Sequence, residues 1–189
     1  FTASANYMLN CGMGILGLVI GAAALVWKGG SLLPMLEPVF ADRPGALSVL
    51  LCAALCTLVG MNDMAAPSVS LEGKSLWLAQ SLPVTSWQVL RAKLRMHTAV
   101  PAALCGICVA VLSPAGAAQT ALALVVAALF TVLSALLCLF LGLKMPNLHW
   151  TSEITPIKQG GAVALALLGG VVYAALLAAG FFLIGWRIG

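Results

Sequence analysis

Five long apolar runs, at about 8–27, 45–62, 98–112, 117–143 and 162–186, dictate what this chain can become. A hydrocarbon core about 30 Å thick takes about 20 residues of α-helix to cross, and the runs meet or approach that length. The third is short and contains Pro101, whereas the fourth is long enough to tilt. In lipid every backbone N–H and C=O must find a partner inside the protein, and a helix supplies these along its own length. No run shows the strict apolar/polar alternation of a membrane β-barrel strand. Charge agrees: 7% of the residues are charged, against about 25% in a soluble domain. The chain therefore reads as an all-α polytopic membrane protein, a single transmembrane domain over 1–189 with about five transmembrane helices.

In such a chain the net charge of +4 sets orientation in the bilayer and does not mark a nucleic-acid binder. Five spans put residues 63–97 and 144–161 on one side, with Lys74, Arg91, Lys93, Arg95, Lys144 and Lys158. The other side holds Lys28, Arg43 and Arg187. The excess of basic residues makes the first side cytoplasmic. The sequence opens on Phe1, and the fifth run ends close to the C-terminus on the outer side. Both features are read as marks of a fragment of a longer membrane protein.

Several short motifs lose force in this setting. Gly12-Met-Gly14-Ile-Leu-Gly17 fits the dinucleotide pattern G-x-G-x-x-G, but that pattern needs a preceding strand and a helix N-terminus facing the pyrophosphate. Gly17 and Gly21 instead form a GxxxG, which lets two membrane helices approach closely, although glycine is common in such helices anyway. Cys105 and Cys108 have CxxC spacing, yet all six cysteines lie in apolar runs with no cluster of further ligands, so packing is the simpler role. His149 and Glu153 are spaced i, i+4, too few groups for a metal site. The span centres carry almost no ionisable group, with Asp63 just beyond the second run and His97 bordering the third. That pattern disfavours proton-coupled transport and leaves no catalytic constellation.

The polar stretch Ser70–Leu94, SLEGKSLWLAQSLPVTSWQVLRAKL, interrupts the apolar chain. Pro67 and Ser68 punctuate the end of the second run. Ser70 suits an N-cap, with Glu72 in the first turn of a helix reaching about Leu82 and stopped by Pro83. Thr85 or Ser86 can cap a second, amphipathic helix on which Trp87, Leu90 and Leu94 share a face. Two readings stand side by side. One is an interfacial anchor whose basic groups snorkel to lipid phosphate. The other is a docking knob with Trp77 as its anchor.

The segment Ser70-Leu-Glu-Gly-Lys-Ser-Leu-Trp77, with Gln80-Ser-Leu-Pro83-Val and Trp87-Gln-Val-Leu-Arg-Ala-Lys93, resembles the signature of a bacterial ABC-2-type transporter permease. The resemblance is to the large permeases of Firmicutes. Lys144-Met-Pro-Asn-Leu-His-Trp150-Thr-Ser-Glu153-Ile-Thr-Pro156-Ile-Lys158-Gln159 is similar to a second segment of that family, and together the match spans about 45–186. The resemblance implies the C-terminal half of a multi-pass permease in a bacterial plasma membrane, working as an exporter with a second permease copy or half. It also implies a separate cytoplasmic ABC ATPase subunit that binds ATP and Mg, so this chain would bind no cofactor and hydrolyse nothing itself. The short helix between spans two and three becomes a cytoplasmic coupling helix. Its carried-over candidates are Ser70, Glu72, Gly73, Lys74, Trp77, Ser81, Leu82 and Pro83, with Pro146, Trp150, Glu153, Lys158 and Gln159 in the second cytoplasmic loop.

Two other classes remain open. An ATPase-independent secondary transporter or channel needs polar or ionisable groups near the midplane, often in broken helices; Thr57, Thr131 and Ser134 are the modest candidates. A non-transporting membrane scaffold would rest on glycine-mediated helix contacts alone.

Overall fold

A computed structural model describes residues 5–40, 46–111, 117–152, 154–158 and 160–188. Among these residues the structure is helical and without strands. The elements are α1 (Ala5–Cys11), α2 (Met13–Leu36), α3 (Ala46–Gly60), α4 (Ala65–Leu71), α5 (Leu76–Ser81), α6 (Ser86–Val111), α7 (Ala117–Lys144), α8 (Ile154–Lys158) and α9 (Gly161–Ile188). Five segments are long and apolar enough to cross a membrane: Met13–Leu36, Leu47–Leu71, Ser86–Val111, Thr120–Lys144 and Ile154–Leu176. The chain is an all-α polytopic membrane protein.

The boundaries differ from the apolar runs in ways that matter. Helix α2 starts at Met13, after a break at Gly12, and runs through Pro34 to Leu36. Pro34 lies near the C-terminal end of a helix that is already 24 residues long, so the proline-rich outer segment is shorter than its composition suggests. Next, the second span does not end at Asn62. It breaks over Met61–Met64 and resumes as α4, which places Pro67 and Ser68 inside it. The third span and the amphipathic segment before it form one 26-residue helix, α6, with Pro101 buried inside. Thr85 starts α6 with a reciprocal capping box: its N–H donates to Gln88 Oε1 at 2.9 Å, and the Gln88 N–H donates to Thr85 Oγ1 at 3.3 Å. This pair satisfies two of the N–H groups orphaned at a helix start.

The broken second span is the centre of the bundle. Of its membrane window 56% is buried inside the protein, against 17% to 33% for the other four. Glycines from three neighbouring helices let it be surrounded. A Cβ on Gly14 of α2 would lie 2.2 Å from the Leu58 carbonyl oxygen. Gly60 of α3 and Gly170 of α9 meet backbone to backbone, and a Cβ on Gly142 of α7 would lie 2.3 Å from the Ala66 carbonyl oxygen. Only a hydrogen fits at such approaches, which is how small residues tighten membrane helix contacts where the hydrophobic effect gives no help.

The GxxxG expectation is therefore corrected in part. Gly17 does face Leu58 of α3, but a Cβ on Gly21 would meet nothing within 4 Å. Within this chain the contact pair is Gly14 and Gly17, two members of the supposed nucleotide fingerprint. Cys105 and Cys108 lie in the main apolar cluster with Leu18, Cys56, Val109, Ala127 and Phe130, so the CxxC spacing is used for packing.

Gly142→Ala is expected to lower the thermal unfolding midpoint of the purified chain, by an amount equivalent to about 1–3 kcal/mol of overpacking. Gly21→Ala should leave the midpoint unchanged or slightly raised. Scanning fluorimetry in detergent separates the two.

Candidate functional site

The two polar segments that break the apolar pattern fold against each other at one end of the bundle. The last turn of α4 brings Ser70 under the irregular segment 146–150. Ser70 Oγ accepts the Asn147 N–H at 3.0 Å, and the Ser70 carbonyl accepts the Trp150 Nε1–H at 2.7 Å. Gly73 completes the seam, since a Cβ there would stand 3.1 Å from the Leu148 carbonyl oxygen. Ser70 is 5% exposed, so a partner lost from this seam leaves a polar group with little access to water.

The first helical turn expected after Ser70 is not there. Ser70 lies near the C-terminal end of α4, and residues 72–75 form a 3-10 turn before the six-residue α5. Glu72 consequently does not serve a helix N-terminus. Its Oε2 lies 2.7 Å from Lys93 Nζ, which also donates to the Ser68 carbonyl at 3.1 Å. The Lys93 side chain is 13% exposed, so α6 is clamped to the end of α4 by a largely buried ammonium. Beside this clamp lies a cleft of about 450 Å³ whose walls include Val69, Glu72, Gln80, Val89, Lys93 and Leu143.

The residues carried over from the permease signature thus separate into two groups. Ser70 is buried and Gly73 packs on Leu148, while the half-exposed Glu72 pairs with Lys93, and together they hold the platform. Trp77 is 68% exposed and Leu82 53%, and Ser81 and Pro83 are exposed beside them. Trp87 does not join the packed face expected of it: Leu90 and Leu94 pack against the apolar cluster that contains Ala65, Cys138 and Leu139, while Trp87 is 70% exposed. Lys74 falls in the 3-10 turn and Lys158 at the end of α8. Pro146 is exposed in the irregular segment. Glu153 and Gln159 lie outside the described residues. His149 is exposed in that segment.

A second polar cluster lies deeper, at the break in the central span. Asn62 is 8% exposed and Asp63 3%, and the buried Cys11 thiol lies beside the Asp63 carboxyl group. The Tyr7 hydroxyl donates to the carbonyl of Met64, the residue that caps the N-terminus of α4, and so ties α1 to the resumed span. Burial pushes the Tyr7 hydroxyl well above the ordinary tyrosine range, with charge on Cys11, Asp63 and Glu72 adding to the effect. Tyr7 therefore remains a neutral donor. Ile157 of α8 closes this cluster from the second loop, packed with Tyr7, Cys11 and Met64. His97 of α6 is 6% exposed at the same level. Asp63 and His97 thus lie within the candidate membrane spans, which corrects the placement of Asp63 just beyond the second span and of His97 at the border of the third. Thr57 and Thr131 bond their own helices, to Ala53 O at 2.8 Å and Ala127 O at 2.7 Å.

Sequence reasoning missed Lys93, Asn147, Tyr7 and the pair Asn62–Asp63. Lys93 did stand in a quoted motif, and an adjacent Asn-Asp at the edge of an apolar run was a visible signal for a helix break. No protein-family model, curated protein or solved structure matches the chain. Among the described residues, no three His, Cys, Asp or Glu side chains gather as a metal site.

Ser70→Ala orphans the Asn147 N–H and is expected to cost about 1–3 kcal/mol. The local consequence is faster amide exchange over 146–150 with exchange in α7 unchanged. Hydrogen–deuterium exchange read by mass spectrometry checks it.

Proposed function

We propose that this chain is the membrane-embedded permease portion of an ATP-binding-cassette exporter, with α5 as the helix through which a separate cytoplasmic ATPase moves the spans. The observation that carries this reading is the seam between the two segments that resemble permease signatures. Residues 77 apart in sequence, Ser70 and Asn147, meet in one hydrogen bond, and the exposed Trp77 projects from the platform so formed.

The mechanism follows from how the platform is tied. A force on α5 passes through the turn at Glu72–Ser75 to α4, and through the Glu72–Lys93 pair to α6. Helix α4 continues across the break into α3, and α6 runs without interruption from Ser86 to Val111. A push at the platform therefore reaches two spans, one jointed and one continuous. They respond differently, and a difference in tilt between spans is what alternating access requires. The second permease copy, the ATPase and the plasma-membrane location belong to this proposal, as does the cytoplasmic placement of the platform, which rests on the basic excess of its side.

Trp77→Ala is expected to weaken co-purification with the ATPase about tenfold or more, as loss of an exposed aromatic anchor does, without moving the thermal midpoint of the permease. If the double variant Glu72→Ala, Trp77→Ala kept both ATPase association and transport, the coupling role of α5 would be wrong.

One observation favours a second reading, transport driven by an ion gradient without an ATPase. A buried carboxylate at a break in a membrane helix is a common form for a coupling-ion site, and Asp63 occupies one. On that reading, proteoliposomes holding the purified chain alone transport under an ion gradient, and Asp63→Asn abolishes the flux. The exporter reading expects no flux without the ATPase.

A further inference from the structure

Beside the break in the central span, four polar residues from three elements line one small, partly open cavity. Asn62 from the break, His97 from α6, and Thr131 and Ser134 from α7 surround a space of about 10 Å³, with Val59, Ala65 and Ala135 also in its walls. Asn62 is 8% exposed, and its Oδ1 has no hydrogen-bond partner in the protein. A buried carbonyl oxygen left in that condition is costly, because it has lost its bond to water without gaining another. Thr131 commits its hydroxyl proton to the Ala127 carbonyl at 2.7 Å, so its oxygen can still accept. The Ser134 hydroxyl can donate or accept.

We propose that this cavity binds one ordered water molecule, which donates to Asn62 Oδ1 and Thr131 Oγ1 and so ties the break in the central span to α7. A water needs a space of about one probe sphere, ~10–15 Å³, and two to four polar partners. The cavity meets both conditions. Its two protons go to the two acceptors, and the Ser134 hydroxyl can donate to one of its lone pairs. A metal cation fits less well, because no carboxylate lines the cavity to balance its charge and the three side-chain oxygens make a sparse shell. The water supplies the partner that the buried Asn62 side-chain oxygen lacks.

The test is a structure of the full chain in lipid nanodiscs at a resolution that shows ordered waters, collected in sodium and again in thallium. The expected result is one peak within hydrogen-bond distance of Asn62 Oδ1, the same in both salts. A cavity without density, an Asn62 amide turned to a protein partner, or a thallium signal at the site each overturns the proposal. Thermal midpoints give an independent reading. Asn62→Leu and Thr131→Val each remove one partner of the same water, so their losses should not add, and the double variant should fall no further than the worse single. Additive losses, or a higher midpoint for Asn62→Leu alone, count against a shared water.

Discussion

The whole bundle depends on how closely four helices can approach one broken span. In water a core is driven together by burying apolar area, but a helix leaving lipid for a helical neighbour gains little from that source. What remains is contact, and contact is greatest where no side chain intervenes. Gly14, Gly142 and the Gly60–Gly170 pair put three neighbours against the backbone of residues 58–66. Helix α6 closes the fourth side with Leu90 and Leu94 against α4. Once this centre is fixed, the positions of both polar segments follow, because α4 ends in one and α7 leads into the other.

That centre is also where backbone bonding is interrupted, and the polar groups around it answer the interruption. Tyr7 takes the Met64 carbonyl, Ala66 N–H returns to the Asp63 carbonyl at 3.0 Å, and Asn62 N–H reaches Val59 O at 3.0 Å. A helix broken inside lipid is tolerated only where protein or water meets its freed groups. The break and its polar surroundings are thus one feature. They give the central span a joint about two-thirds of the way along it, between the apolar α3 and the α4 that bears the platform. The exporter reading uses this joint to convert movement at α5 into a change of tilt, and the gradient-driven reading uses the carboxylate within it.

Much of the site could be read in advance, and the failures share a cause. The capping residue of α6, the stop at Pro83, the exposure of Trp77 and the structural use of Cys105 and Cys108 all follow from local chemistry. The placement of Glu72 did not. Its sequence position suits a helix start, but Lys93 on another helix offers a stronger partner, and the tertiary ion pair prevails over the local dipole. Gly21 was grouped with Gly17 by spacing, yet the face of α2 that meets α3 runs through Gly14. Asp63 looked like the edge of a loop because the apolar run stops at Asn62. A run of hydropathy cannot distinguish an end from a joint when Tyr7, Cys11 and Ile157 come from distant segments to bury the polar pair.

By itself the sequence determined the solvent, the helical class and the presence of about five spans. These depend on composition and run length, which act residue by residue through lipid transfer and backbone bonding. It also marked Ser70–Leu94 and Lys144–Gln159 as the polar segments that interrupt the apolar chain. Only the tertiary structure decided that the two segments form a single platform, that the second span is the hub, and that its break holds buried Asn62 and Asp63. Those are outcomes of which glycine faces which backbone, a matter of rotation about helix axes. Hydropathy is nearly uniform around helices such as α2, α3 and α9, so their sequences leave that rotation open until the neighbours are in place.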